Sequence, residues 1–251
     1  MRTIKPNRRV AVKSDNVDQN RRVAVKSDTV PSITSEVLIL SRTKMGAGRI
    51  CVGAHCFTTR KNIRLLSHAW GRLYENEPYT IGEVYRVSYS TKSIPADFHP
   101  IVAPHIEDVS VNQKKILRTL SNTSFMRVIN SLSLPSMHIK DLFEGCLNWR
   151  NGRGFLLKES IPNCGSVQIA KLNHDLIMSE SPYQDKVNII FEHKNTSGNE
   201  YGVSYVGCES LHLPLTIRAN TPIRFSLARF WDKGDGVERS YLQLSGFYLY
   251  I

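Results

Sequence analysis

Basic and aromatic side chains alternate between residues 42 and 74, and these residue types are suited to binding a polyanion. The candidate site comprises Arg42, Lys44, Arg49, Arg60, Lys61, Arg64, Trp70, Arg72 and Tyr74. In single-strand binding, cations follow the phosphates and aromatic rings stack on bases, at about 1–3 kcal/mol per base. We therefore predict a nucleic-acid-binding site here. Tyr85 and Tyr89 could extend the stacking, or, being two residues apart, could share one buried face of a strand.

Carboxylates and histidines in the segment from residue 99 to residue 108 suggest a second chemistry, metal-assisted hydrolysis of a phosphodiester. The residues concerned are Glu107 and Asp108, with His99 and His105. Neighbouring residues of a strand point to opposite faces, which separates the two carboxylates. We expect instead that Asp108 caps a helix beginning near Val109 and that Glu107 pairs with an arginine. We predict no catalytic residue and no enzyme, with a metal-dependent nuclease as the alternative.

Cysteine and histidine also cluster at Cys51, His55 and Cys56, but their spacing does not make a recognisable zinc motif. There is no C-x-x-C pair, and a fourth ligand would have to come from a distant residue: Cys146, Cys164, His174 or Cys208. The glycine-rich stretches match neither the phosphate-binding loop nor the dinucleotide fingerprint. We predict no metal and no cofactor.

The elements that would position the basic residues begin with a short apolar run at Val37–Leu40. Charged residues end this run, and Gly46 and Gly48 then allow the chain to reverse before Ile50–Val52 resumes a strand. This pattern predicts the first hairpin of a small β-barrel with cations at its mouth.

The rest of the chain reads mostly as short strands separated by Gly, Pro, Asn and Ser. Helices are predicted at Val111–Leu132 and His138–Leu147 from the spacing of their apolar residues. The predicted fold is mainly β with an α connector, two OB-like β-barrels packed in one chain. The predicted divisions are a tail at 1–35, a first barrel at 36–110, a connector at 111–154 and a second barrel at 155–251.

Five segments of the sequence resemble motifs of the bacterial dual OB-containing domain family. They are Val37–Leu40, Ser41–Gly48, Arg49–Ala54, Asn62–Leu65 and His105–Val109. The C-terminal half follows the family pattern more loosely, and Val206–Glu209 departs from it. The resemblance implies two OB barrels and an accessory role beside nucleic-acid enzymes, in defence against phage or mobile elements.

The first residues of the chain contain an internal duplication. Nine consecutive residues of Asn7–Gln19 recur in Asn20–Ser32, and two copies are too few for a stacked repeat architecture. We predict a flexible basic tail that contacts phosphates without sequence preference. The alternative is an inert leader. The tail cations are Arg8, Arg9, Lys13, Arg21, Arg22 and Lys26.

The net charge of +11 is concentrated in the tail and the first half of the chain. Residues 141–251 are nearly neutral, with 11 basic and 12 acidic side chains. Such asymmetry suits a DNA or RNA partner contacted from one end of the molecule. The alternative is a scaffold subunit of a larger protein complex that uses its neutral half to dock a partner, with no direct nucleic-acid contact.

Composition and hydropathy indicate a soluble cytoplasmic protein that does not enter a membrane. The chain is 41% hydrophobic, and no apolar run approaches the roughly 20 residues of a membrane-spanning helix. The N-terminus lacks the apolar core of a signal peptide. Five cysteines, an odd number without a disulfide pattern, are expected to stay reduced.

Overall fold

The computed structural model describes residues 32–91, 105–183, 186–208 and 213–250. The tail cations and His99 therefore lie outside the described residues. The first sheet contains β1 (Ser32–Lys44), β2 (Arg49–Cys56), β3 (Lys61–Leu66), β4 (Leu73–Tyr74), β5 (Glu83–Thr91) and β6 (Asp108–Thr119). A single α-helix among the described residues, α1 (Asn122–Asn130), follows it.

The first sheet closes into a five-stranded barrel in the order β1-β2-β3-β6-β5, with the short β4 added beside β2. Strand β1 closes the barrel because it pairs with β5 through Ser32–Leu38 and with β2 through Val37–Lys44. Strands β3 and β6 are parallel, and the other pairs are antiparallel. This is a barrel of the OB type, as the sequence predicted.

Alternating residues of the strands fill the first barrel. Ile50, Val52 and Ala54 of β2 face the interior. Tyr85 and Tyr89 lie in the same core with only 4% and 2% of their surface exposed. The packing interpretation of these two tyrosines is therefore confirmed, and neither offers a ring to a base.

The second sheet is larger. Its strands are β7 (Ser136–Met137), β8 (Asn148–Arg150), β9 (Arg153–Leu156), β10 (Val167–Leu172), β11 (Leu176–Tyr183), β12 (Lys186–Lys194), β13 (Glu200–Tyr205), β14 (Thr216–Ile217), β15 (Pro222–Leu227), β16 (Trp231–Asp232) and β17 (Glu238–Phe247).

The second sheet repeats the barrel order of the first. Strands β10 and β11 follow one another across a three-residue bend, so they act as one long strand. Its first part pairs with β15 and its second part with β12. The remaining order is β12-β13-β17-β15, with β13 parallel to β17. The long bent strand thus corresponds to β1, and β12 and β13 correspond to β2 and β3.

A shared apolar cluster and backbone hydrogen bonds join the two barrels. Leu38 and Leu40 of β1 pack with Met126 of α1 and Tyr248 of the second barrel. The Tyr248 hydroxyl donates to the Leu40 carbonyl at 3.2 Å. The amide of Lys44 donates to the Val206 carbonyl at 2.9 Å, so β1 is hydrogen-bonded to the segment after β13.

The structure corrects both helix predictions. The helix predicted over Val111–Leu132 was wrong in its first half, where β6 continues to Thr119, and only Asn122–Asn130 is helical. Pairing of β6 with β5 and β3 outweighs the helix-like spacing of its apolar residues. The predicted helix at His138–Leu147 is two 3₁₀ turns, Ile139–Asp141 and Phe143–Gly145. Whether each barrel is an independent domain with the predicted limits stays a prediction.

No helix in the described part of the chain combines the length and apolar character needed to span a membrane.

Candidate nucleic-acid interface

The predicted basic residues of the first barrel do not form one continuous site. Lys44 and Arg49 lie at the β1–β2 turn, where Arg49 is opposite Tyr74 of β4. Arg60 and Lys61 lie beyond the other end of β2. Eight strand residues separate these two groups by about 25 Å. A ligand at one end would not reach the cations at the other without following the whole strand.

The rim at the β1–β2 turn contains five of the predicted residues, which differ in exposure and in hydrogen bonding. They are Arg42, Lys44, Arg49, Arg72 and Tyr74. Lys44 and Arg72 are exposed, and Tyr74 is 55% exposed. The Arg42 guanidinium donates to the Glu75 carbonyl at 2.8 Å. This bond fixes Arg42 over the end of the barrel, whereas Lys44 and Tyr74 extend into solvent.

Trp70 has a different environment from the rim. Its ring belongs to a half-buried residue in a short 3₁₀ turn, and its backbone amide donates to the Ser110 hydroxyl at 3.3 Å. The turn holds Trp70 against the start of β6, away from the exposed Tyr74.

Arg64 is buried and engaged, which corrects its assignment to an exposed phosphate-binding surface. It forms a two-point ion pair with Asp108, one of its contacts being Nη2 to Oδ2 at 2.7 Å. Its neighbour across the strands, Gly53, faces the second barrel. A Cβ at Gly53 would lie 2.6 Å from the Cζ of Arg224, a residue of β15. The part of the outer face of β2 and β3 around Gly53 and Arg64 is therefore buried, and Arg64 is not available to a phosphate there.

Glu107 and Asp108 are also engaged in structural contacts. Asp108 begins a strand, so the predicted helix cap was wrong, and Arg64 occupies both of its carboxylate oxygens. The Glu107 carboxylate accepts a hydrogen bond from the Ser166 hydroxyl of the second barrel and forms no ion pair with an arginine among the described residues, although its backbone carbonyl accepts from the Arg64 amide at 2.9 Å. Burial, reinforced by the positive charge of Arg64, lowers the pKa of the neighbouring His105 to about 3. This geometry gives no support to the nuclease alternative.

A cleft of about 650 Å³ lies where the two barrels meet. Arg60 and Lys61 line it from the first barrel, and Asn163 and Cys164 line it from the second. Both cations belong to exposed residues. They can reach an anion in this cleft, but its described lining residues include no exposed aromatic ring for stacking, since Tyr89 is buried.

A second cluster of cations and aromatic rings lies on the second barrel, where the sequence did not predict one. We call it the β9–β17 groove, and it has a volume of about 320 Å³. Its lining residues are Arg150, Asn151, Arg153, Phe155, Lys233, Asp235, Arg239 and Tyr241. The β8–β9 hairpin supplies the first four, and β17 with the loop before it supplies the others.

The rings and cations of the groove are in direct contact. Lys233 Nζ lies 4.4 Å from the centroid of Tyr241 and 5.8 Å from that of Trp231. The Trp231 and Tyr241 centroids are 6.1 Å apart. Trp231 is 46% exposed, an uncommon amount for such a large apolar ring. One ring is thus open to solvent beside an ammonium group.

The acidic residues of the loop shape the groove and neutralise only part of its charge. Arg239 Nη1 donates to Asp235 at 2.8 Å, and this hydrogen bond lowers the pKa of Asp235 to about 2. Asp232 accepts three backbone N–H bonds from residues 234–236, which fixes the turn that carries Lys233.

Three of the four cationic side chains that line the groove are not paired with a carboxylate among the described residues. Among the described residues, Arg150, Arg153 and Lys233 form no ion pair. Arg153 Nη1 is buried and has no hydrogen-bond partner there. Because Arg153 lines the groove and forms no ion pair among the described residues, the guanidinium N–H groups other than those of Nη1 can donate to an acceptor that enters the groove, such as a phosphate oxygen.

Sequence reasoning missed this groove because it relied on net charge over residues 141–251. Two local signals were present. The segments Trp149–Gly154 and Trp231–Gly236 each place tryptophan, cations and glycine in a short turn. What the sequence did not show is that the two turns meet.

Cys51, His55 and Cys56 do not share one face of β2. Cys56 is fully buried in the core of the first barrel, whereas Cys51 and His55 are on the other face of β2. In the part of the chain that the structure describes, one group of three side chains is close enough to hold a metal ion. It lies in the second barrel, at His138, His174 and His193.

Comparisons with known proteins gave no family. No family model and no curated protein matches the chain, so the dual OB-containing domain family is not confirmed. Among solved structures, a murine DNA-binding protein bound to double-stranded DNA is 10% identical, with a TM-score of 0.30, over 84% of this chain and 95% of that chain. The tetrameric p202 HIN2 is 10% identical, with a TM-score of 0.28, over 84% and 91%.

A third solved structure, a replication protein A heterotrimer bound to single-stranded DNA, is 10% identical with a TM-score of 0.29. The match covers 86% of this chain and 49% of that chain. Scores this low carry no argument, so the case for function depends on the residues of the interface.

Proposed function

We propose that this protein binds single-stranded nucleic acid without cleaving it, and that the β9–β17 groove is its principal contact. The observation that carries the proposal is the exposed Trp231 ring beside Lys233 and Tyr241. Aromatic rings next to unpaired cations are the combination used in sequence-independent binding of single strands.

The proposed mechanism divides the work between rings and charges. Trp231 stacks on a base, and Lys233 contacts the adjoining phosphate. Arg150 and Arg153 on the opposite wall donate to the next phosphates, because neither is held by an acidic partner among the described residues. A double strand hides its base faces in its own stack, so this arrangement favours a single strand.

The rim of the first barrel extends the proposed path. Strand β13 begins beside the groove, where the Gly202 amide donates to the Gly152 carbonyl at 2.6 Å. The segment just after β13 accepts a hydrogen bond from the amide of Lys44. Six strand residues span about 20 Å, which lies within the reach of a strand of several nucleotides. Lys44, Arg49, Arg72 and Tyr74 are the residues that we propose at that end.

The resemblance stated above suggests a narrower role, as an accessory protein beside nucleic-acid enzymes in a cytoplasmic bacterial defence or mobile-element system. The six tail cations would add affinity that depends on salt and not on sequence. The accessory role and the tail contacts extend the proposal, and the assignment of binding to the β9–β17 groove does not depend on either.

Fluorescence anisotropy of labelled single- and double-stranded DNA and RNA, at about 50 and 200 mM salt, tests the proposal. We expect the full chain to bind the single strands and to lose affinity log-linearly with salt. Changing Arg150, Arg153 and Lys233 together to Gln should reduce the salt slope by about 2–3.

The matched control changes Arg60 and Lys61 to Gln, which removes charge from the cleft between the barrels and leaves the groove intact. Equal losses in the two sets of variants would contradict the assignment to the groove. No binding by the wild type at 50 mM salt would reject nucleic-acid binding, and the scaffold alternative would then be pursued by capture of a protein partner.

A further inference from the structure

Three histidines converge at one end of the second barrel core, and nothing in the proposed function uses them. His138 follows β7, His174 lies in the bend between β10 and β11, and His193 is on β12. One ring nitrogen of each lies within 4.8 Å of those of the other two. The ring centroids of His174 and His193 are 3.8 Å apart, and those of His138 and His174 are 4.6 Å apart.

Hydrogen bonds fix His174 with one nitrogen ready to bind a metal. Its Nδ1 donates to the Asn173 side-chain oxygen at 2.8 Å, so the neutral ring carries its proton there. The other nitrogen, Nε2, is therefore an unprotonated acceptor, and it is buried with no hydrogen-bond partner among the described residues. A metal-binding histidine held by a hydrogen bond from its second nitrogen has this arrangement.

His193 is held in a comparable way. A hydrogen bond to the backbone of Asp175 involves one side of its ring and opposes the lowering of its pKa by burial. One ring nitrogen of His193 lies within 4.8 Å of a ring nitrogen of His138 and of His174, and this nitrogen is its candidate ligand atom. The same bend of the chain, residues 173–175, thus supplies His174 and orients His193.

His138 needs a small change to join them. Its Nδ1 accepts from the Lys140 amide at 3.2 Å, which places the ring proton on Nε2. Binding through Nε2 would move that proton to Nδ1 and break this long hydrogen bond. A bond between the metal and His138 Nε2 would replace the hydrogen bond from the Lys140 amide.

Burial lowers the pKa of all three rings, which favours the neutral form that metal binding requires. Burial, followed by the charges of His193 and His138, lowers the pKa of His174 to about 4. Burial and then His193 also lower the pKa of His138. The ligand nitrogens therefore do not have to lose protons to bind a cation.

We propose that His138, His174 and His193 bind one zinc ion, with water in the fourth position. Zinc accepts imidazole ligands at about 2.0–2.1 Å in tetrahedral geometry, which holds them about 3.3 Å apart. The ring nitrogens now lie within 4.8 Å of one another, so the rings must turn and draw together to complete the site. Three neutral ligands with no carboxylate within the group favour a borderline-soft metal such as zinc over magnesium or calcium.

The ion would tie together three segments that are distant in sequence. It would join the entry to the first 3₁₀ turn, the bend of the long strand and β12. Because zinc would bind the folded chain and not the unfolded one, it should stabilise the second barrel. This inference does not depend on nucleic-acid binding, and zinc binding is measured without nucleic acid.

The test uses the full chain, stripped with a chelator and titrated with Zn²⁺ and with Co²⁺. We expect one zinc per chain by elemental analysis and a Co²⁺ spectrum typical of tetrahedral nitrogen ligands. His174→Gln and His193→Gln should each lower the zinc affinity by at least about 100-fold. Asn173→Ala, which frees the His174 ring, should lower it by about 10-fold.

His68→Gln is the matched control, because His68 is exposed and belongs to the other barrel. Thermal unfolding with chelator present shows whether each variant folds, and zinc should raise the midpoint of the wild type and of His68→Gln alone. Equal zinc affinity in wild type and His174→Gln would overturn the proposal. A thiolate-to-cobalt absorption band would also overturn it, since the ion would then lie at a cysteine.

Discussion

The two barrels have the same strand order, yet their outer surfaces differ. In the first barrel, the outer face of β2 and β3 carries Gly53 and Arg64, and the second barrel covers both. In the second barrel, the β9–β17 groove stays open, with Trp231 exposed at its edge. A repeated fold does not repeat the binding surface, because what packs against each barrel decides which strands a ligand can reach.

The two barrels also differ in how their charges are used. In the first, Lys114 pairs with Glu77, and Arg86 and Arg118 both pair with Glu36, in addition to the buried pair of Arg64. The second half is nearly neutral by composition and also pairs several cations with carboxylates, but three cations that line one groove, Arg150, Arg153 and Lys233, form no ion pair among the described residues. Net charge over a segment is therefore a poor guide to where a polyanion binds.

The largest expected effect concerns the buried ion pair of the first barrel. Asp108→Ala leaves Arg64 charged and buried without its partner, which should lower the free energy of unfolding by about 3–5 kcal/mol. Asp235→Ala breaks the pair of Arg239 at the groove, where Asp235 is exposed and water screens the charges, and should cost much less. Urea denaturation measures both, and similar losses would contradict the different burial of the two pairs.

Acid should destabilise the first barrel through His105. The folded pKa of His105 is about 3, mainly because of burial, against about 6.5 when unfolded. The unfolded chain binds more protons between these values, so the free energy of unfolding falls as the pH falls through this range. The contribution of His105 lost by pH 4 is about 3 kcal/mol.

Urea denaturation at pH 7 and pH 4 tests this contribution. His105→Gln should remove about that amount of the pH dependence, whereas His68→Gln should leave it unchanged. An unaltered dependence in His105→Gln would show that His105 does not differ between the folded and unfolded chains.

A pair of glycine substitutions compares the covered face with the open one. Gly53→Ala would push a methyl group against the buried Arg224, whose Nη1 donates to Ser245 at 2.7 Å, and should cost about 1–3 kcal/mol. A Cβ at Gly202 would meet the end of the Arg153 side chain at 3.0 Å and the Glu192 side chain and Gly152 carbonyl at 3.3 Å, which are longer contacts than those at Gly53. We expect a smaller loss there in thermal unfolding, and the reverse order would contradict the covered-face assignment.

The first hairpin could be predicted because its signals are local. Val37–Leu40 is a buried run, and Gly46 and Gly48 have φ values of 73° and 65°, as expected where the chain reverses. The fold class followed from many such short strands and turns.

The groove and the histidine cluster could not be predicted, because they form between segments that are distant in sequence. His138, His174 and His193 have no motif spacing and meet only because the long strand bends at residues 173–175. Likewise, Arg64 was predicted to bind phosphate because the sequence does not show that Asp108, its ion-pair partner, lies beside it on the neighbouring strand β6. In both cases the neighbours of a side chain are set by contacts between segments that are distant in sequence.

One comparison tests the central claim most directly: anisotropy of a labelled single strand with Trp231→Ala and with Tyr74→Ala. Each variant removes one exposed ring, from the second barrel and from the first. We predict a loss of about 5- to 150-fold for Trp231→Ala, which corresponds to about 1–3 kcal/mol of stacking, and a smaller loss for Tyr74→Ala. Unchanged affinity in Trp231→Ala, or a larger loss in Tyr74→Ala, would contradict binding at the β9–β17 groove.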